Sequence, residues 1–453
     1  MRARRLSRQI VIGDERVGLV RVGGGLPTGR HPHATGTSTP EDGGPAPVSV
    51  QTMTAGYTHD VAGCLAEIHR YAAAGADVVR VAVPEKKDTQ ALREILRESP
   101  VPIVADVHFH FQRALEAVEA GVHKIRLNPG NISDREQVRE VIRACKQANA
   151  GRGIPIRVGV NEGSIVERRD KQKRLKELGA VFGEHKNGYL LAIMITKLEE
   201  YLDIFAEEEF EDVCISAKSM DAALTIDAYT EIASRFTHPL HLGVTHAGPR
   251  ETGQTRSVLA LGTLLANGIG DTIRISYASD HALEVTDGLE ILYCLGLRQR
   301  VGAELIACPT CGRIQVDLMT LVQDVRRTLE REITLPMKVA VMGCVVNGPG
   351  EAEGADVAVF AGDRRGIIYV QGERVANVPE EEILARLLGE CKAFEDRVRR
   401  GGAKLGEKKV DIVPPDPLGE LGSGWEKMAA ERIASDHSPA ERAKGAPLTI
   451  GKT

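Results

Sequence analysis

Three cysteines of this 453-residue chain stand in a pattern suited to metal chemistry. Cys308 and Cys311 share a C-x-x-C spacing in Cys308-Pro309-Thr310-Cys311-Gly312. Cys344 follows 33 residues after Cys311, in Gly343-Cys344-Val345-Val346-Asn347-Gly348-Pro349-Gly350-Glu351. Three soft thiolates are one ligand short of a closed metal site. Candidates for the fourth are few: His437, the only later His, deep in a polar tail; Cys391, the only later Cys, in a helical pattern; and Glu351, beyond a Gly-Pro-Gly turn that can fold it back. Three thiolates and a carboxylate make a poor structural zinc site. They suit an iron–sulfur cluster with one weakly held iron, from which a substrate oxygen can displace the hard ligand.

A second set of residues points to an anion. Arg80, Arg126, Arg157 and Arg274, with Lys218, each sit inside an apolar run: Val79-Arg80-Val81, Ile125-Arg126-Leu127, Ile156-Arg157-Val158, Ala217-Lys218-Ser219 and Ile273-Arg274-Ile275. Any one of them reads most simply as a structural ion pair. Five from five different runs are costly to bury unless an anion pairs with them. Guanidinium groups match phosphate oxygens in bidentate fashion, and a lysine adds a point charge, so a diphosphate fits better than a single phosphate. Asp106 and His108 lie two apart on one run and so share a face, placed to hydrogen-bond substrate hydroxyls or to orient an arginine; a satisfied structural histidine is the equal alternative.

The elements that carry these residues repeat. Short β-rich runs at Val48–Met53, Asp77–Val83, Ile103–Phe109, Lys124–Leu127, Ile156–Val160, Asp212–Ala217, Leu240–Val244 and Thr272–Ser276 alternate with amphipathic helical patterns. Eight β/α units in succession predict a TIM (β/α)8 barrel, with chemistry at the carboxyl ends of the strands; the rival is a doubly wound open sheet. The fifth unit is enlarged by a charged excursion, Glu167 to Glu177, followed by a helix pattern reaching Phe205.

The predicted organisation has four parts. Residues 1–47 form an N-terminal segment with a flexible Gly/Pro-rich loop containing His31 and His33. Residues 48–298 form the substrate-binding barrel, and 299–400 a smaller α/β domain bearing the cysteine motifs. Residues 401–453 are a polar, disordered tail. In the smaller domain the pattern predicts a helix over Val316–Glu332, a strand over Lys338–Met342, a hairpin of Val357–Phe360 with Gly366–Gln371, and a last helix from Pro379. A formal net charge of −5 argues against wholesale binding to nucleic acid or anionic membrane. No run is long and apolar enough to span a bilayer, no signal peptide is apparent, and the five remaining cysteines carry no motif, which predicts a reduced, cytoplasmic setting.

The motifs together resemble one family, the 4-hydroxy-3-methylbut-2-enyl diphosphate synthases of the methylerythritol phosphate route to isoprenoids. The resemblance rests on V-Q-T-M-T, R-V-A-V-P, D-V-H-F, I-R-L-N-P-G-N, R-V-G-V-N, G-I-G-D-T-I-R-I-S, A-C-P-T-C-G-R and V-M-G-C-V-V-N-G-P-G-E. It covers residues 5 to 395 and looks like the bacterial two-domain form. It implies a 4Fe-4S cluster on Cys308, Cys311, Cys344 and Glu351, and a substrate pocket of Arg80, Asp106, His108, Arg126, Arg157, Asn161, Lys218, Arg274 and Ser276. It implies reductive opening of 2-C-methyl-D-erythritol 2,4-cyclodiphosphate, with flavodoxin or ferredoxin as electron donor. It also implies a homodimer whose active site is shared between subunits.

One departure bears on the chemistry. Thr245-His246-Ala247-Gly248 stands where the family pattern has T-E-A-G, so His246 is expected to replace a glutamate near the substrate as proton donor, with Glu251 as the nearby alternative. Of the other classes, a zinc-stabilised barrel transferase acting on a phosphorylated or pterin substrate also accommodates C-P-x-C-G, but it lacks a fourth soft ligand. A non-catalytic metal scaffold leaves the arginines without a purpose, and no C-x-x-x-C-x-x-C triplet is present for radical chemistry with S-adenosylmethionine.

Overall fold

The computed structural model describes residues 1–26, 44–108, 110–128, 132, 134–162, 188–314, 316–344, 352, 354–362 and 364–407. Glu351, His31, His33, the charged segment from Glu167 to Glu177, His437 and the tail beyond residue 407 lie outside the described residues. The chain divides into two units, Met1–Arg298 and Gln299 onward.

The first unit opens with an antiparallel hairpin, β1 (Gln9–Asp14) and β2 (Gly18–Gly23). Eight parallel strands follow: β3 (Ser49–Met53), β4 (Val78–Ala82), β5 (Ile103–Asp106), β6 (Lys124–Leu127), β7 (Ile156–Asn161), β8 (Val213–Lys218), β9 (His241–Leu242) and β10 (Thr272–Ile273). The hydrogen-bonded order is β8-β7-β6-β5-β4-β3-β10-β9, and a parallel bridge between Ile215 and Leu240 joins the two ends. The order follows the chain around a ring without the reversal that a doubly wound sheet requires, so the fold is a TIM barrel. The last two ladders are shorter than the apolar runs suggested. Beyond them single bonds continue, from Arg274 N–H to the Leu242 carbonyl and from Thr245 N–H to the Ser219 carbonyl, each at 3.0 Å.

Among the described residues eight helices follow the strands: α1 (Val61–Ala73), α2 (Lys86–Glu98), α3 (Phe111–Ala120), α4 (Arg135–Gln147), α5 (Gly188–Glu207), α6 (Ala222–Arg235), α7 (Arg250–Ala266) and α8 (His281–Cys294). Their starts are encoded locally. Asp60, Asp134, Asp221 and Asp280 each accept a hydrogen bond from a backbone N–H of the first turn, which satisfies donors that the helix leaves open. Along each strand the residues alternate. Val79, Val81, Ile125, Leu127, Val158, Val160, Ile215 and Ala217 face outward into one continuous core under the helices.

The hairpin was not expected from the sequence, and it has a clear task. Ile10, Ile12 and Val22 pack against Val78, Val104 and Cys214, the first inward-facing residues of β4, β5 and β8, and so close the amino end of the barrel. Arg4 adds an ion pair to the buried Asp271, 3.0 Å away, which ties the N-terminus to the same end.

The second unit is a five-stranded sheet ordered β11 (Glu304–Ala307), β12 (Lys338–Met342), β13 (Val357–Gly362), β14 (Arg365–Val370) and β15 (Glu373–Pro379). The first three strands run parallel and the last two antiparallel. Helices α9 (Leu318–Glu332) and α10 (Ile383–Arg399) cover one face through Val325, Leu329, Leu387 and Phe394. The helix start expected at Pro379 is the end of an edge strand instead, followed by a 3-10 turn over Glu380–Glu382. Proline suits that place because an edge strand leaves its missing donor unneeded.

Candidate active site

Beyond the apolar plug of Val78, Val104 and Cys214, inward-facing positions of the barrel are polar. Register pairs Met53 with Arg80, Ala82 with Asp106, Asp106 with Arg126, Arg126 with Arg157, and Asn161 with Lys218, so these residues line the same wall, side by side. Arg126 Nη1 donates to Asp106 Oδ1 at 3.1 Å, Arg80 Nε lies 3.5 Å from Asp106 Oδ2, and His108 Nε2 lies 3.7 Å from the same oxygen. Asp106 therefore orients the arginines, one of the two roles that its spacing from His108 allowed. On the opposite side Arg274 Nη2 lies 3.5 Å from Glu284 Oε2, which also accepts from Thr52 Oγ1 at 3.2 Å. Asn161 and Ser276 are half-buried, at the end of β7 and just beyond β10.

The charges do not balance. Among the described residues Arg80, Lys124, Arg126, Arg157, Lys218 and Arg274 are all buried inside the barrel, six cations, against the two carboxylates Asp106 and Glu284. Desolvation drives the pKa of Lys218 well below its ordinary value, and Arg157, Arg274, Arg80 and Arg126 push it the same way. Arg80 is also driven well below its ordinary value, by desolvation against the pull of Asp106. Arg157 falls to about 10, first through desolvation and then through Arg126. Burial works to raise the Asp106 pKa, but Arg80 and Arg126 outweigh it and hold the carboxyl well below the usual carboxylate range. Arg126 Nε, Arg157 Nε and Nη1 and Arg274 Nε have no hydrogen-bond partner among the described residues. Such a cavity favours a negative charge, which would relieve both desolvation and mutual repulsion.

Several members of this site were not found in the sequence. Met53 offers its thioether sulfur to Arg80, 3.2 Å from Nε and 2.9 Å from Nη2. Glu284 is fully buried on α8, where a carboxylate reads like any surface helix charge. Two inward glycines provide clearance. A Cβ on Gly159 would lie 2.7 Å from Ser216 Oγ and 3.5 Å from Arg126 Nε; one on Gly243 would lie 2.5 Å from Lys218 Nζ and 2.7 Å from the Arg274 carbonyl oxygen. An isolated glycine inside a strand pattern is the available signal for such close approach. His246 stands on the loop between β9 and α7, exposed, with a left-handed backbone (φ 52°). Glu251 is in the first turn of α7.

In the second unit the cysteines sit at the carboxyl ends of two adjacent parallel strands. Ala307 pairs with Val341, so Cys308 follows β11 directly and Cys344 lies two residues past β12. Cys308 N–H donates to the Val341 carbonyl at 3.3 Å, and Gly343 N–H donates to Cys308 Sγ at 3.2 Å. A Cβ on Gly343 would lie 2.9 Å from Leu318 Cδ2 and 3.1 Å from Ile314 Cγ1, so glycine lets the two cysteine-bearing turns approach. Cys311 is exposed and Cys344 buried. The Arg313 guanidinium hydrogen-bonds to the Cys311 thiol and interacts with Cys344, and its pKa is raised as a result. Among the described residues no three His, Cys, Asp or Glu side chains converge on a single metal ion. Soft donors on neighbouring strand ends, a backbone N–H aimed at sulfur and an adjacent cation fit a group of several irons, each thiolate taking a different one. No helix among the described residues is long and apolar enough to cross a membrane.

Fold and site together define an anion-binding α/β-barrel enzyme followed by a thiol-bearing α/β domain. The chain belongs to the GcpE family: the GcpE TIM-barrel domain matches residues 38–289, and the GcpE protein C-terminal domain matches residues 304–393. It is 46% identical over 356 residues to the 4-hydroxy-3-methylbut-2-en-1-yl diphosphate synthase (flavodoxin) of Symbiobacterium thermophilum, covering 78% of this chain and 91% of the relative. It is 43% identical over 388 residues to the synthase of the same name from Frankia alni, covering 85% and 96%.

Proposed function

We propose that this enzyme reductively opens 2-C-methyl-D-erythritol 2,4-cyclodiphosphate to 4-hydroxy-3-methylbut-2-enyl diphosphate. Two electrons and two protons enter, the ring C–O bond and one hydroxyl C–O bond break, a C=C bond forms and water leaves. The observation that carries the reading is the surplus of four cations (six less two carboxylates) inside a barrel of this family. Arg80, Arg126, Arg157, Lys218 and Arg274 hold the diphosphate, and Asp106, kept ionised by Arg80 and Arg126, fixes two of those guanidinium groups in place. His108, Asn161 and Ser276 orient the substrate's hydroxyls and phosphate from the rim.

Cys308, Cys311, Cys344 and Glu351 hold a 4Fe-4S cluster, which supplies single electrons and a Lewis-acidic iron when bound. Gly343 N–H steadies the Cys308 thiolate. Glu351 would be the one carboxylate ligand beside the three thiolates, and His246 delivers a proton from its strand-end loop. Flavodoxin, which appears in the relatives' names, is the electron donor. The chain works as a homodimer, which sedimentation at micromolar concentration tests: a monomer there removes that part of the reading.

Protein purified without oxygen tests the cofactor. Brown colour with about four iron and four sulfide per chain is expected. Colourless protein holding a single zinc replaces this reading with the zinc-stabilised transferase.

A further inference from the structure

Lys124 is among the most deeply placed of the interior cations. It pairs in register with Val104, which belongs to the apolar plug at the amino end of the barrel, and its neighbours Ile125 and Leu127 face the outer core. Its side chain therefore points into the barrel, one step below Arg126. Only 1% of the residue is exposed, and Nζ has no hydrogen-bond partner among the described residues. The nearby Cys214 is no counter-ion, because burial raises its thiol pKa.

Two further buried groups lie near it. Arg157, also 1% exposed, pairs in register with Cys214 of the same plug and leaves Nε and Nη1 without a partner among the described residues. His241 is fully buried and feels the charges of Arg157 and Lys124; its Nε2 lies 3.4 Å from Lys218 Nζ, and its Nδ1 has no partner among the described residues. Where the Lys218 ammonium donates to His241 Nε2, Nδ1 carries the ring proton, a fourth donor atom without a partner among the described residues. Burial, then Arg157, Lys218 and Lys124, push the His241 pKa well below its ordinary value, in keeping with a neutral ring. Desolvation brings Lys124 down to about 8. Groups this expensive to bury unpaired are retained where a ligand completes them.

We propose that Lys124, Arg157 and His241 form the floor of the anion site and take one phosphoryl group of the diphosphate, while Arg80, Arg126 and Arg274 hold the other. The inference rests on the diphosphate reading and assigns Lys124 and His241 to binding. It carries an unusual signature. Lys124→Met removes an unpaired buried charge at similar volume, so the ligand-free protein becomes more stable while its affinity falls.

The test is calorimetric binding of inorganic pyrophosphate to the full chain, with thermal melts, for wild type, Lys124→Met, Lys124→Gln and Arg126→Met. At least tenfold weaker binding in Lys124→Met, with a melting temperature equal to or above wild type, is the expected result. Unchanged affinity in both Lys124 variants, while Arg126→Met weakens binding, overturns the floor and leaves the mouth of the site intact. Failure of both Lys124 variants to fold identifies a structural cation and also overturns it. Wild-type protein that binds no pyrophosphate overturns the diphosphate reading and the floor with it.

Discussion

Replacing Arg126 by Met removes one interior cation at similar side-chain length, and the structure separates its effect on folding from its effect on binding. Arg126 Nη1 is 3.1 Å from Asp106 Oδ1, and Arg80 Nε is 3.5 Å from Asp106 Oδ2, so the carboxylate keeps a guanidinium in the variant. At about 4 Å and an effective dielectric of about 20, one unit-charge pair is worth about 4 kcal/mol. The lost attraction to Asp106 is opposed by relief of repulsion with Arg80, Arg157 and Lys218, each of which feels Arg126. These terms oppose one another, and the expected change in stability is within about 1 kcal/mol. For an anionic substrate nothing offsets the loss. A charge-assisted hydrogen bond contributes about 1.5–3 kcal/mol, which is about 10- to 150-fold in kcat/KM. Product formation is measured without oxygen and with a chemical reductant in excess, so that the protein electron donor does not limit the rate; iron content and a thermal melt accompany it. An Arg126→Met protein that unfolds, or one that binds and turns over substrate like wild type, refutes the reasoning and leaves Arg126 as a structural ion pair.

Cys308→Ser, Cys311→Ser and Cys344→Ser each lose the cluster and activity; full iron content with full turnover in Cys344→Ser contradicts the ligand assignment. Glu351→Ala keeps much of the cluster but is nearly inactive and more sensitive to oxygen, and turnover close to wild type removes it from the mechanism. His246→Ala abolishes the alkaline limb of the pH–rate profile and His246→Glu restores part of the rate; an unchanged profile with chemistry rate-limiting hands the proton role to Glu251 or water. Lys124 also makes stability depend on pH. Its folded pKa of about 8 lies below an unfolded value of about 10.4, so the unfolded state binds more protons between them. Ligand-free wild type therefore gains up to about 3 kcal/mol from this group as pH rises through that window, with the cost present in full below it. Lys124→Met lacks this rise, and parallel stability–pH curves in urea titrations would show that the lysine is not buried as a cation.

The barrel was legible because its strands are buried on both faces, which makes a chemically distinct, near-continuous apolar run interrupted by few polar residues. Arg80, Arg126, Arg157, Lys218 and Arg274 stood out against that background. Lys124 did not, because it occupies the first position of β6 and reads there as a polar strand boundary. Glu284 was hidden by its helix, where one buried carboxylate looks like many exposed ones. Met53 passed as an apolar strand residue, and its role as a sulfur acceptor depends on a neighbour 27 residues away. The hairpin of β1 and β2 was missed because Gly13 and Gly18 blur the alternation of its strands. The cysteine motifs gave the ligand types directly. That Cys308 and Cys344 lie at the ends of neighbouring parallel strands emerges only when β11, a half-exposed strand without a continuous buried run, pairs with β12.

The most direct measurement is conversion of the cyclic diphosphate itself. Enzyme purified without oxygen is mixed with 2-C-methyl-D-erythritol 2,4-cyclodiphosphate and reduced flavodoxin, and the reaction is followed by phosphorus NMR. The account predicts loss of the cyclic diphosphate signals, growth of a linear allylic diphosphate, and two electrons consumed per product. Iron-replete protein that leaves the cyclic substrate intact under these conditions contradicts it.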